Sequence, residues 1–142
     1  MSTLTLDMAR AIVRAALAHA GDAGFRPMAV AVVDTGGRLV AFERSDGAAP
    51  GRFELALGKA VGCAMIGTGG RRLAALSQSH PGIINAASAA FSGQFVPAPG
   101  GVILKGNDGA VIGAVGASGD MPENDEAAAI AGIESAGLAY EA

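Results

Sequence analysis

The sequence predicts an α+β fold, with one antiparallel sheet of about five strands, a common sheet size, covered by helices. Three observations lead there. Two segments, Met28–Glu43 and Gly101–Ala117, read as hairpins. Amphipathic helical patterns open and close the chain. Hairpins pair their strands antiparallel, which excludes a doubly wound parallel sheet. The length of 142 residues suits a single domain over 1–142, and 51% hydrophobic residues suffice to fill its core.

Thr5 is placed to cap the first helix, with Asp7 in the first turn where the helix dipole favours an acid. Met8, Ile12, Ala16 and Ala20 recur at helical spacing with Val13 and Leu17 beside them, and Gly21 and Gly24 end the pattern. Met28 to Asp34 reads as a strand, Thr35-Gly36-Gly37 as its turn, and Arg38 to Glu43 as the hairpin partner. After a loop from Ser45 to Gly51, the residues Phe53, Leu57, Ala60, Val61 and Ala64 make an amphipathic helical face. Gly58 and Gly62 weaken that helix, so the close approach of another backbone is expected there, and they are candidates for a subunit interface.

Arg71 to Gln78 fits a short helix, and Ser79 to Phe91 fits helix or loop equally well. The second hairpin turns at Gly106-Asn107-Asp108-Gly109. Pro122 suits the first turn of the last helix, whose inner face is marked by Ile130 and Ile133, with Gly137 on the same side.

Composition excludes several function classes. Net charge is −3, Trp is absent, aromatics are 4%, and no basic cluster exceeds Arg71-Arg72, all of which disfavour nucleic-acid binding. No apolar run approaches the roughly 20 residues of a membrane span. A single cysteine, Cys63, and the lack of an export signal at Met1-Ser2-Thr3-Leu4 imply a cytoplasmic protein. The charged fraction of only 16% leaves apolar surface that self-association commonly covers, so a homo-oligomer is expected. No phosphate-binding loop, nucleophile elbow or haem-attachment motif occurs, and two histidines without metal spacing disfavour zinc.

Several segments resemble, in order, the GlcG/HbpS-like family. They are Val32-Val33-Asp34-Thr35-Gly36-Gly37-Arg38-Leu39 with Phe42-Glu43-Arg44-Ser45-Asp46-Gly47-Ala48, and Gly58-Lys59-Ala60. Further along come Val96-Pro97-Ala98-Pro99-Gly100-Gly101-Val102, and Gly113-Ala114-Val115-Gly116-Ala117-Ser118-Gly119 followed by Pro122-Glu123 and Asp125-Glu126. Each motif alone is weak; their ordered occurrence over nearly the whole chain is specific. The resemblance implies a profilin-like antiparallel sheet flanked by helices, and a symmetric oligomer. Some members, including the C-terminal domain of PduO-type proteins, bind haem, so haem is the candidate cofactor. Glu54 is the nearest match to an acidic residue implicated in iron binding in HbpS-type members. Met121 departs from the Thr that often precedes the helix-starting proline, so the usual hydroxyl cap is missing.

Six places carry candidate chemistry. Glu126 shares a helix face with Ile130 and Ile133, so it is either an acid/base or ligand-binding group or a carboxylate satisfied by backbone N–H groups. Lys59 lies about 120° around its helix from Phe53, where a solvated lysine is the default; the resemblance adds a reach toward a carboxylate or anionic ligand. Glu54 is a first-turn helix acid or a metal or proton site. His19 and His80 are candidate axial ligands of haem iron, against the plainer readings of a partly buried and a surface-loop histidine. Gly100 and Gly101 either turn the chain into its strand or offer backbone N–H groups to a ligand. Cys63, among apolar residues, reads as packing.

Two functions follow, beside a third reading as a purely structural or regulatory oligomer. One is a small-ligand-binding protein for haem or a related tetrapyrrole. The other is a small enzyme of isomerase, lyase or hydrolase type acting on a compact organic acid or carbonyl compound, with Glu126 moving a proton, Lys59 holding a carboxylate and the Gly100-Gly101 amides polarising an oxygen.

Overall fold

The computed structural model describes residues 3–142. Five helices and five strands follow one another as α1 (Leu6–Asp22), β1 (Ala29–Val33), β2 (Leu39–Arg44), α2 (Arg52–Ile66), α3 (Gly70–Ser79), α4 (Pro81–Ala90), β3 (Gly101–Lys105), β4 (Val111–Ser118), α5 (Pro122–Ser135) and β5 (Ala139–Glu141). The strands form one antiparallel sheet ordered β2-β1-β4-β3-β5. The expected α+β layer fold is therefore observed, and both hairpins belong to the sheet. Their junction is the β1–β4 ladder, which pairs Ala29 with Ser118 and Val33 with Ala114.

Alternation along β1 explains the two-sided core. Successive side chains of a strand point to opposite faces. Val30 and Val32 pack with Ile12, Val13 and Ala16 of α1 and Ala128, Ala129 and Ile133 of α5. Val33 packs on the other face with Ala60, Val61 and Cys63 of α2, and Ala29 and Ala31 meet Ala56 there. All five β1 residues are buried, so the strand reads as a continuous apolar run. Each Val or Ile so buried contributes about 1.5–3 kcal/mol relative to exposure.

Small residues bring α2 against the sheet. A Cβ on Gly116 of β4 would sit 2.8 Å from the Ala60 backbone nitrogen, with the Ala56 carbonyl oxygen closer still. Helix and strand backbones thus touch, and nothing larger than glycine fits between them.

The structure corrects four details. Gly58 and Gly62 face this chain's own segment after α4 and not a second subunit. A Cβ at Gly58 would lie 2.6 Å from Val96 Cγ2, one at Gly62 would lie 2.8 Å from Phe95 Cε1, and the Val96 N–H donates to the Gly58 carbonyl at 3.1 Å. Gly137 packs against nothing; it lies just beyond α5 with φ +72°, a helix-ending conformation open to glycine. The Ser79–Phe91 region is a break at His80 followed by helix α4, with Pro81 in its first turn. Finally, β5, a three-residue strand, has no counterpart in the expected elements.

Candidate functional site

The middle of α2 and the start of α5 meet the end of β4 and gather buried polar groups. Thr5 caps α1 as expected, through a 3.2 Å bond from the Met8 N–H. At α5 the N-cap Met121 offers no side-chain bond, and Asp125 reaches back past it to accept the Asp120 N–H at 2.8 Å. Its other oxygen receives Lys59 Nζ at 3.0 Å. Lys59 also donates to the Ala117 carbonyl at 2.9 Å. Both side chains are nearly inaccessible, 6% exposed for Lys59 and 1% for Asp125. Arg52 borders the cluster and donates to Ser118 Oγ at 3.1 Å.

Burial holds the Asp125 carboxyl above the usual carboxylate range, against the pull of Lys59, the Asp120 N–H and Arg52. Neighbouring Asp120 goes the other way. Its carboxylate accepts the N–H groups of Arg26 and Met121 and the Asn124 amide, and these lower it to about 2. Two acids near this helix start are thus driven apart by desolvation in one case and hydrogen bonding in the other.

Lys59 is therefore not solvated, and its partner is Asp125, not Glu126. Glu126 is buried, as its face implied, but its carboxylate is held by both arms of Arg71, at 2.8 and 2.7 Å. That fork-to-fork pair comes from α3, and 65% of the Arg71 side chain remains exposed. The bond raises the already high Arg71 pKa further. Glu126 and Lys59 thus do not converge on one substrate; each is committed to its own partner.

The Pro99-Gly100-Gly101 loop does reach Lys59. A Cβ on Gly100 would lie 2.8 Å from Lys59 Nζ, and one on Gly101 would lie 2.7 Å from Cys63 Sγ and from the Lys59 carbonyl oxygen. These two glycines are buried where the polypeptide packs closely, so they serve close packing and not an open ligand cradle. Cys63 is buried, and desolvation, with Glu141 nearby, pushes its thiol up to about 12. It is inert packing, as its neighbours suggested.

The remaining candidates lie apart. Glu54 is exposed on α2, and among the described residues no group of three or more His, Cys, Asp or Glu is disposed to hold a metal ion. His80 is exposed between α3 and α4, with Nδ1 2.8 Å from Ser79 Oγ. His19 is half-buried on α1, its ring edge-to-face with Phe25 at 6.0 Å. Among the described residues no group hydrogen-bonds the His19 imidazole.

Sequence reasoning overlooked Asp125 and Arg71. Asp125 shares its face with Ala128, Ala129 and Gly132, all buried. That run of small residues marked the tightest contact of α5, a better pointer than the isoleucines. Arg71 carried no local signal, because its role depends on where α3 packs.

An antiparallel sheet between two helical layers, holding a buried Lys–Asp pair where β4 meets α2 and α5, defines the class of this domain. The chain belongs to the HbpS-like family, described as haem degrading, whose model matches residues 4–134. The crystal structure of a PduOC:haem complex superposes with a TM-score of 0.86 at 26% identity, covering 99% of this chain and 100% of that one. The crystal structure of HbpS gives 0.81 at 28% identity over 95% of this chain and 91% of that one. Klebsiella pneumoniae protein ORFY, at 24% identity, shares the fold with a TM-score of 0.85 over 96% of this chain and 92% of that one. No curated protein matched the sequence. Among the described residues no helix is long and apolar enough to cross a membrane.

Proposed function

We propose that this protein binds haem or a related planar tetrapyrrole, with His19 as the axial ligand. The reading rests on its near-complete superposition on haem-bound PduOC. Support for an axial ligand comes from His19. His19 offers an imidazole with no competing hydrogen bond among the described residues, braced by the Phe25 ring. Ala15, half-buried, lies one turn before it on α1. Bound haem would supply redox-active iron, tuned through its axial ligand and the polarity of its surroundings. His80 is the weaker candidate, because it is exposed and one ring nitrogen already faces Ser79.

The enzyme alternative would need Lys59 free to act. Its ammonium is buried and bonded to the Ala117 carbonyl and Asp125, which favours a structural role. A homo-oligomer accompanies the ligand-binding reading, supported by Leu55, Ile66, Ile83 and Met121, which are exposed on the single chain. Light scattering at micromolar concentration tests it, and a monomer throughout overturns it.

Hemin titration followed by absorbance tests the ligand. We expect a saturable Soret band that His19→Ala removes or shifts and His80→Ala leaves in place. An unchanged spectrum in both variants overturns histidine ligation, and no saturable band overturns tetrapyrrole binding.

A further inference from the structure

An open groove of about 320 Å³ lies between the β1–β2 turn, the C-terminal half of α2 and the turn that follows α4. Val61, Met65 and Phe91 contribute apolar surface to its lining. Its rim carries Arg38, Ser92 and Gln94. Among the described residues these three side chains have no hydrogen bond or ion pair, so a cation, a hydroxyl and an amide all face the groove uncommitted. Buried carboxylates elsewhere in the chain are matched to a base; here the base has no acid.

Two backbone features shape the groove. Gly37, with φ +75°, brings the hairpin turn onto Met65, so that a Cβ would lie 3.2 Å from its Sδ. Ser92 is the one non-glycine residue with positive φ among the described residues, at +56°. Glycine would take that conformation with less strain, and strain retained beside a cavity is a pointer to function.

We propose that this groove is a second ligand site, for a small aromatic carboxylate. The ring would lie on Val61, Met65 and Phe91, with sulfur and aromatic contacts suited to a π-face. The carboxylate would meet the Arg38 guanidinium, whose planar fork matches it with two parallel bonds. Ser92 and Gln94 would supply the remaining hydrogen bonds. The volume sits at the low end of the range for ligand pockets, which suits one ring and excludes a tetrapyrrole. The site is separate from His19 and does not depend on the haem reading.

Titration of the full-length protein with benzoate, followed by amide chemical shifts, tests the proposal. Saturable shifts are expected at residues 36–38, 61–65 and 90–94. Benzamide, the uncharged isostere, should bind at least tenfold more weakly. Arg38→Gln should weaken benzoate at least tenfold while leaving the melting temperature and benzamide binding unchanged, because Arg38 is exposed and unpaired. Ser92→Gly should raise the melting temperature yet weaken benzoate. Equal binding of benzoate and benzamide, unaltered benzoate affinity in Arg38→Gln, or shifts that map elsewhere would each overturn it.

Discussion

Lys59 Nζ and Asp125 Oδ2 stand 3.0 Å apart although 66 residues separate them in sequence, and together they tie α2 to α5 across the end of β4. A buried pair of this kind contributes little net stability over an apolar replacement, but losing one partner strands the other charge. Lys59→Met should therefore destabilise by about 3–5 kcal/mol. Lys59→Met combined with Asp125→Asn should recover much of that loss, since the amide oxygen can still accept the Asp120 N–H. Urea unfolding of the two variants checks this, and equal stability of the single and double variants would count against the pairing.

Gly116 tests how closely helix and sheet approach. Gly116→Ala would drive a methyl group into the Ala56 carbonyl and the Ala60 nitrogen. Backbone on both sides leaves no flexible side chain to move aside. A loss of about 1–3 kcal/mol or more is expected from overpacking, visible as a lower urea midpoint with an unchanged slope.

Acid stability should carry the signature of Asp120. Its carboxyl falls from 3.8 to about 2 in the folded chain, so the folded state favours the ionised form. That contribution is complete above about pH 4 and is lost as pH falls toward 2. Asp120→Asn should flatten the pH dependence of the melting temperature across that window. An identical acid profile for the wild type and the variant would refute the assignment.

The Cys63 thiol should resist modification. With its pKa pushed up to about 12 by burial, almost none is thiolate at pH 8. A thiol reagent should react in the native protein only as fast as it opens, and at once in urea. Rapid stoichiometric labelling of the folded chain would contradict the burial.

The sequence made legible what periodicity can carry. Both hairpins, the long helices and the inward turn of Glu126 followed from spacing alone. Break points proved harder. The join at His80 is a single residue between two helices, and β5 is too short for alternation to register. The candidate site was half legible. Gly100 does lie against Lys59, because the loop before β3 must cross α2, yet the acid that completes the pair could not be chosen from two adjacent carboxylates. Only the packing of Ala128, Ala129 and Gly132 decides that Asp125 faces Lys59 while Glu126 turns to Arg71. His19 was named from its helix, and its freedom from hydrogen bonds is visible only in three dimensions.

The central ladder has a kinetic consequence. Each hairpin can zip locally within microseconds, as short loops do. The β1–β4 pairing that unites them joins Ala29 to Ser118, so helices α2, α3 and α4 must be looped out before the ladder rewards its closure. Chains dominated by such distant pairings fold in milliseconds to seconds. During that interval β1, apolar along its whole length, waits with one edge unpaired, and the partially assembled hairpin is the species most exposed to misassociation at high concentration.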